Sequence, residues 1–243
     1  NIEQDDRVKA FICTQDLKDE EYVNSNYVIM ATKMGQVKKT SLEQYSRPRS
    51  NGINAITIKD GDELLEAKLT NGNSQIMLAV KSGKAIRFEE SKTRPMGRNA
   101  SGVRGIRLKD NKDEVVGMIS VNDMDANILV VSENGYGKRS SLEDYRLTNR
   151  GGKGVKTISI TEKTGKLVTL KSVSDSDDLM IINKSGIAIR MQVEDLRVMG
   201  RATQGVKVIS LKDGDSIAAV AKVMKDDDDI EDINDIEFTA DAV

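Results

Sequence analysis

Residues Arg150 to Lys156 read RGGKGVK and place three glycines and three cations within seven positions. Loops of this composition bind phosphate, because glycine lets backbone N–H groups approach an anion closely. The segment lacks the Gly-x-x-x-x-Gly-Lys-Ser/Thr pattern of a nucleotide-binding loop, and no helical pattern follows it. A contact with the phosphate backbone of a nucleic acid is the favoured interpretation. The alternatives are a nucleotide cradle and a simple turn between strands.

The loop is one copy of a repeat. Four apolar runs each lead into a glycine, at positions 35, 83, 135 and 186, with spacings of 48, 52 and 51 residues. A second glycine series, at positions 52, 102, 154 and 205, keeps spacings of 50, 52 and 51. Two independent markers with the same period indicate a chain built from units of about fifty residues.

Each unit predicts four short strands separated by turns rich in Asp, Asn, Lys and Gly. The predicted fold is all-β, a propeller-like pinwheel of four-stranded blades, because a radial array protects most sheet edges. We expect blades at about 23–73, 74–125, 126–177 and 178–225. Residues 1–22 are expected to end an incomplete blade, with a strand in RVKAFICTQD that suggests a domain excised from a longer chain. Residues 226–243 form an acidic tail, expected to be disordered.

Cations recur at fixed places within the units. One stands four residues after each first glycine. In the last three units others stand eight before, four before and two after the second glycine, and Arg49 lies at nearly the same place in the shorter first unit. Matched positions fall on the same edge of every blade, so a curved basic belt is expected; scattered surface decoration is the alternative. With their neighbours, the candidate DNA-binding residues are Lys38, Lys39, Arg47, Arg49, Arg87, Arg94, Arg98, Arg104, Lys138, Arg139, Arg146, Arg150, Lys153, Lys156, Arg190, Arg197, Arg201 and Lys207.

The charge distribution points to a polyanion as partner. Residues 23–225 hold 34 of the 37 Lys and Arg but only 23 of the 39 Asp and Glu. Duplex DNA suits a curved basic track, since spread phosphate contacts can offset the cost of bending it. Single-stranded or RNA-specific binding is less favoured, because the chain is 3% aromatic and has no Trp. Tyr45 and Tyr145 occupy matched places and are interpreted as packing residues.

Catalysis and metal binding have little support in the sequence. The chain has no His and a single cysteine, Cys13, so neither a nucleophile paired with His nor a zinc cluster is available. Acid-rich turns such as DGD lack the calcium-binding loop pattern and are explained as hairpin turns. We predict no metal site and no cofactor in this domain, a monomeric isolated domain, no membrane contact and a cytoplasmic location.

Several long segments carry a family resemblance. YVIMATKMGQVKKTSLEQY, IRFEESKTRPMGRNASGVRGIRL, NGYGKRSSLEDY and VMGRATQGVKVI resemble the C-terminal domain of the bacterial DNA gyrase A subunit, in order and at the right spacing. The resemblance implies a six-bladed pinwheel that exchanges strands between blades and wraps duplex DNA on its basic rim. It also implies an A2B2 holoenzyme with the gyrase B subunit, in which wrapping supports ATP-dependent negative supercoiling.

The resemblance places DNA cleavage elsewhere in the gyrase A subunit, and ATP and Mg use outside this domain. Its signature heptapeptide, Gln-Arg-Arg-Gly-Gly-Lys-Gly, belongs to the first blade and is expected upstream of residue 1. The segment TNRGGKG, 148–154, is interpreted as a degenerate copy of it. The acidic tail is hypothesised to compete with DNA for the belt. The alternatives are the equivalent domain of topoisomerase IV and a propeller-type scaffold that binds protein.

Overall fold

A computed structural model describes residues 7–223. The predicted acidic tail, 226–243, lies outside the described residues. The elements are α1 (Glu20–Ser25), β1 (Tyr27–Thr32), β2 (Gln36–Ser41), β3 (Leu64–Thr70), β4 (Gln75–Val80), β5 (Lys84–Glu89), β6 (Val103–Arg104), β7 (Val115–Val121), β8 (Asn127–Ser132), β9 (Tyr136–Ser141), β10 (Val155–Lys156), β11 (Leu167–Val173), β12 (Asp178–Asn183), β13 (Ala188–Gln192), β14 (Val206–Lys207) and β15 (Ile217–Val223). Short 3-10 helices occupy Leu42–Tyr45, Glu90–Lys92 and Leu142–Asp144.

The strands form four antiparallel sheets, one for each sequence repeat. Their orders are β3-β1-β2-β6 (blade 1), β7-β4-β5-β10 (blade 2), β11-β8-β9-β14 (blade 3) and β15-β12-β13 (blade 4). The all-β prediction is confirmed. No helix in the described part of the chain is both long and apolar enough to cross a membrane.

The fourth strand of blades 1, 2 and 3 comes from the following repeat. Val103 pairs with Val37, Val155 with Ala85, and Val206 with Gly137. A sheet is therefore not built from one sequence unit, and each blade is tied to the next by the chain itself.

The second glycine series permits this exchange. Gly154 has φ +69°, and a Cβ there would lie 2.5 Å from the carbonyl oxygen of Ala85 on β5. Only glycine allows both the left-handed backbone and the close approach. A Cβ at Gly102 or Gly205 would meet the neighbouring blade's backbone in the same way, at 2.5 and 2.6 Å.

The first strand of each hairpin forms the core. In β1, β4 and β8 the last five residues are all buried, because both sheet faces are covered. Neighbouring blades provide the cover, except that one face of β1 packs against α1 and the N-terminal residues Ile12 and Leu17. Strands β3, β7, β11 and β15 contact one another in succession, so this edge of the sheets faces the common centre. The exchanged strands lie on the opposite, outer edge.

The N-terminal segment differs from its predicted form. Residues 7–19 contain no strand, and the helix α1 follows, capped by the Asp19 side chain. Val8 and Phe11 are 56% and 87% exposed, whereas Ile12 and Leu17 pack against the hydrophobic cluster of Val23, Val28, Met30 and Leu42 without joining a sheet. The strand prediction for this segment is wrong.

Candidate nucleic-acid interface

The eighteen candidate cations fall into two groups according to their position in the fold. Twelve lie in four outer loops, residues 47–54, 94–104, 146–156 and 197–207, which contain no Asp or Glu. These loop cations are Arg47, Arg49, Arg94, Arg98, Arg104, Arg146, Arg150, Lys153, Lys156, Arg197, Arg201 and Lys207. The other six, the strand cations, lie on β2, β5, β9 and β13 and are Lys38, Lys39, Arg87, Lys138, Arg139 and Arg190.

The loop cations face solvent. Nine are exposed, and the remaining three, Arg98, Arg150 and Arg201, are half-buried. Loops 94–104, 146–156 and 197–207 each end in an exchanged strand, so they lie at the outer edge of blades 1, 2 and 3. The loop cations are therefore exposed on the same edge of successive blades, as the sequence analysis predicts.

Successive outer loops touch one another through their half-buried arginines. Arg150 donates from Nη1 to the carbonyl oxygen of Arg104 at 3.0 Å, and Arg201 donates from Nη1 to that of Lys156 at 2.8 Å. The Gly151 N–H adds a bond to the Gly105 carbonyl at 2.6 Å. Since a guanidinium has five N–H donors, the arginines keep donors for a further partner. The loops 94–104, 146–156 and 197–207 therefore form one continuous basic surface.

The RGGKGVK loop lies within this surface. A shallow cleft of about 160 Å³ opens between it and β5, lined by Arg87, Arg146 and Lys153 among others. Strand β10 forms the end of the loop and leads to β11 without a helix, so the strand-to-helix setting of a nucleotide cradle is missing. Its glycine at 154 is required by strand exchange, and its cations belong to the outer surface.

Four strand cations are buried, which corrects their assignment to an exposed belt. Lys38 and Lys138 are 0% exposed, Lys39 is 4% and Arg139 is 7% exposed. Their side chains are taken up by contacts within the protein, so they are not available to a ligand in this structure. Surface decoration does not describe these four residues either, because they are buried for a structural reason.

The buried strand cations attach the following repeat unit to the blade. The Lys38 ammonium donates to the carbonyls of Ala55 and Arg98, and Lys138 donates to the Gly200 carbonyl at 2.5 Å. Arg98 and Gly200 belong to the outer loops of the following units. The strand lysines therefore fix the backbone of the loops that carry the loop cations.

In blades 2 and 3 the cation four residues after the first glycine holds the segment leading into the next loop. Arg87 donates from Nη1 to the carbonyls of Leu142 and Tyr145 at 2.9 and 3.0 Å. Arg139 donates to the Leu196 carbonyl and pairs with Asp175. Arg87 is half-buried, and this burial lowers the pKa of its guanidinium.

At the junction of blades 1 and 2 the same position forms a buried ion pair. The Lys39 ammonium lies 3.2 Å from the carboxylate of Glu90, which is 0% exposed. Glu90 also accepts bonds from the Thr70 hydroxyl at 2.7 Å and the Ser74 N–H at 3.2 Å. Lys39 lies 4.5 Å from the centre of the Tyr27 ring. Arg190, in blade 4, is exposed and pairs with Asp178 at 2.7 Å.

Comparison with known proteins agrees with this architecture. The family model described as DNA gyrase C-terminal domain, beta-propeller, matches residues 26–71, 75–122, 126–174 and 177–224. The chain belongs to this family. The repeat, the exchange of strands and the outer loops are thus features of a gyrase-type C-terminal domain, and the resemblance stated from the sequence is confirmed.

Individual relatives give the extent of the similarity. The DNA gyrase A subunit of Staphylococcus epidermidis (strain ATCC 12228) is 44% identical over 228 residues, covering 93% of this chain and 25% of that protein. The solved C-terminal domain of DNA topoisomerase IV superposes with a TM-score of 0.78 at 26% identity, covering 82% of this chain and 62% of that one. A DNA gyrase A C-terminal domain gives 0.74 at 27% identity, covering 83% and 67%. The chain thus spans about a quarter of the length of the curated relative.

Burial lowers the pKa of two strand lysines, Lys38 and Lys138, in this gyrase-type domain. The pKa of Lys38 falls to about 8, because burial disfavours the ammonium and Arg98 adds repulsion. The pKa of Lys138 also falls to about 8, chiefly through burial, with Asp144 opposing the shift and Arg201 contributing to it. These lysines are charged at neutral pH, but keeping that charge in the interior costs stability.

The matched tyrosines pack as the sequence analysis expected. Tyr145 is 1% exposed, and its hydroxyl lies 2.5 Å from that of Thr157. Burial raises the pKa of the Tyr145 phenol. Tyr45 is half-buried and donates to the Ala55 carbonyl at 3.3 Å. Neither ring offers an open face of the kind that stacks on a base.

Proposed function

We propose that this chain is a DNA-wrapping domain of the DNA gyrase A subunit and that it binds duplex DNA along its outer loops. One observation carries the proposal. Three matched loops of eleven residues, 94–104, 146–156 and 197–207, hold ten cations and no acid, and contacts such as Arg150 to the Arg104 carbonyl join them. The DNA-binding residues are the loop cations.

Such a surface suits the duplex backbone. Neutralising each phosphate releases condensed counterions, so about ten contacts would give a slope of log K against log salt near −9. Phosphate contacts carry no sequence information, so binding depends on duplex length and deformability rather than on bases. Bending a site of about 20–30 base pairs costs on the order of 1–6 kcal/mol, which contacts spread over several blades offset.

The strand cations support this function indirectly. Lys38 and Lys138 bond to loop backbone, and Arg87 and Arg139 bond to the segments that precede the loops. A loop held by such bonds loses little conformational entropy when it binds. The loop cations therefore present their charges on a pre-organised surface.

Within the complete protein, the domain presents wrapped DNA to the remainder of the gyrase A subunit. It works with the gyrase B subunit in an A2B2 enzyme that introduces negative supercoils at the expense of ATP. The domain contributes no catalytic residue and no cofactor of its own. Support for this role comes from the 44% identity to a DNA gyrase A subunit.

The test is affinity for duplexes of about 20 and about 140 base pairs between about 50 and about 200 mM salt. It is paired with topoisomer analysis of a nicked circle ligated in the presence of the chain. Wrapping predicts a steep salt slope, preference for the long duplex and a shift toward positive writhe. Binding that is absent or insensitive to salt would overturn the proposal and favour a protein-binding scaffold.

A second candidate is the DNA-binding domain of a topoisomerase IV, which binds DNA without strong chiral wrapping. The TM-score of 0.78 to the C-terminal domain of that enzyme favours it. The ligation assay separates the two, since a topoisomerase IV-type domain would keep the steep salt slope and leave the writhe of the circle unchanged.

A further inference from the structure

The position three residues after the first glycine alternates between two residue types. Blades 1 and 3 hold a buried lysine there, Lys38 or Lys138, whereas blades 2 and 4 hold Ile86 or Ile189. Ile86 is 2% exposed and lies against the RGGKGVK loop, where a Cβ at Gly152 would lie 3.5 Å from its Cδ1 atom. An outer loop is therefore held over an isoleucine as well as over a lysine. Packing alone does not explain why two blades bury an ammonium at this position, since burying a charge is costly.

Each buried ammonium lies directly beneath a loop cation. Lys38 donates to the carbonyl of Arg98 itself, and Lys138 donates at 2.5 Å to the carbonyl of Gly200, which precedes Arg201. Both bonds go to neutral carbonyl groups and not to a carboxylate. The two ammonium charges therefore lie behind the basic surface and add to its positive potential.

The surroundings of Lys38 disfavour its ammonium form. Burial is the larger cause of its lowered pKa, and repulsion from Arg98 lowers the pKa further, to about 8. The Tyr45 phenol donates to the Ala55 carbonyl that Lys38 also contacts. Burial raises the pKa of this phenol, so Tyr45 is neutral at pH 8. About half of the chains therefore carry a charged Lys38 at that pH.

Lys138 lies between charges of opposite sign. Burial is the largest cause of its lowered pKa, which is also about 8, while Asp144 raises the pKa and Arg201 lowers it. The same two charges act on the Tyr145 phenol, whose pKa is raised by burial, so Tyr145 is neutral at pH 8 as well. Both buried lysines thus titrate near pH 8, and each is repelled by an arginine of the outer loops.

A bound duplex changes these surroundings. Phosphates that contact Arg98 and Arg201 offset the arginine charge that repels the buried lysines. Charges act on each other more strongly through the protein interior than through water, so the added negative charge favours the ammonium form. A proton from the buffer then binds the Nζ lone pair of each lysine that was neutral in the free chain.

We propose that DNA binding takes up protons at Lys38 and Lys138 and that affinity for the duplex therefore falls as pH rises through the range where these lysines titrate. The inference rests on the proposed DNA binding and assigns it a pH dependence. The sign follows from linkage, because binding that favours the protonated form is stronger where protons are more available. Neither lysine touches the DNA. Loss of either side chain acts first on stability, and the linkage is a separate effect on affinity at alkaline pH.

The test is calorimetric titration of the chain with a duplex of about 140 base pairs, at about pH 6.5 and about pH 8. Each titration is run in two buffers that differ in ionisation enthalpy, and the difference in heat counts the protons taken up. Wild type should take up about one proton per bound chain at pH 8, about half a proton at each lysine. Uptake should be close to zero at pH 6.5, where both lysines are already charged.

The variant Lys38→Ile/Lys138→Ile gives blades 1 and 3 the residue type that blades 2 and 4 already carry. It should bind DNA without proton uptake at pH 8, and Lys138→Ile alone should lose about half of the uptake. The matched control, Lys59→Ile/Lys109→Ile, removes two exposed lysines outside the outer loops and should keep the wild-type uptake. Thermal melting shows which variants are folded, and the wild-type titration decides the inference if the double variant is not.

Equal proton uptake at pH 8 by wild type and the folded double variant would overturn the inference, because other groups would then supply the uptake. Steep salt-dependent binding by wild type without uptake at pH 8 would overturn it as well and leave the proposed DNA binding standing. Absence of salt-dependent binding by wild type would overturn the proposed function itself, and the inference with it.

Discussion

The loop cations and the strand cations share residue types and the fifty-residue period, but they occupy opposite environments. Arg146 and Lys156 are exposed in a loop without acids, whereas Lys138 and Arg139 are buried among backbone carbonyls. The period reports the place of a residue within a blade and not its exposure. A cation can recur because every blade binds the same ligand, or because every blade binds the next blade.

The two groups depend on each other in this fold. A buried ammonium bonded to loop carbonyls gives the loop a fixed backbone, and the fixed loop carries the exposed charges. Removing a strand cation should therefore act on stability, and removing a loop cation should act on DNA binding. The following predictions, from the largest expected effect to the smallest, test that separation.

The largest effect is expected from Glu90→Gln, which leaves the buried Lys39 ammonium without its counter-charge. Removing one partner of a buried ion pair costs about 3–5 kcal/mol of unfolding free energy. Urea titration of the variant measures the loss. The control Lys39→Met/Glu90→Leu removes both charges and should recover most of it. A single variant within about 1 kcal/mol of wild type would contradict the structural role of this ion pair.

A smaller effect, on binding alone, is expected when Arg146, Lys153 and Lys156 are changed together to Gln. Losing about three phosphate contacts should reduce the salt slope by about three and lower affinity more at low salt than at high salt. The unfolding free energy should change by less than about 0.5 kcal/mol, because all three residues are exposed. A matched change of Lys59, Lys109 and Lys112, exposed lysines outside the outer loops, should leave the slope as it is. Equal losses in both triple variants would remove the distinction between the outer loops and other basic surface.

The last effect is a pH dependence of stability. The pKa of Lys138 is about 8 in the folded chain and near 10.4 when unfolded, so between these values the unfolded chain binds more protons. The contribution of Lys138 to stability should rise with pH across this window. It is measured as the difference in unfolding free energy between wild type and Lys138→Met at pH 7 and pH 10. A difference that stays constant would show that burial does not hold this pKa down.

Much of the fold follows from the sequence. The two glycine series predict the repeat, and the apolar runs before Gly35, Gly83 and Gly135 predict the core strands. Both sheet faces of these strands are covered, which the unbroken apolar runs already indicate. The outer loops are recognisable because their cations recur without any acid between them.

The burial of the strand cations could not be predicted from local sequence. The segment QVKKTS, β2, contains one apolar residue, yet its four central residues are buried. Lys38 is satisfied by carbonyls 17 and 60 residues away, and Lys138 by one 62 residues away. Such partners exist only after blades pack together, and carbonyls are present at every residue. One signal was available: a strand paired to a fully buried apolar run is itself covered by the next blade.

Acetylation of lysines, followed by mass spectrometry with and without a duplex of about 140 base pairs, tests the central claim most directly. The account predicts that Lys153, Lys156 and Lys207 react in the free chain and are protected by DNA, and that Lys38 and Lys138 react in neither state. Reactive strand lysines that DNA protects, or loop lysines that DNA leaves unprotected, would contradict the division of the repeated cations into strand cations that hold the fold and loop cations that bind DNA.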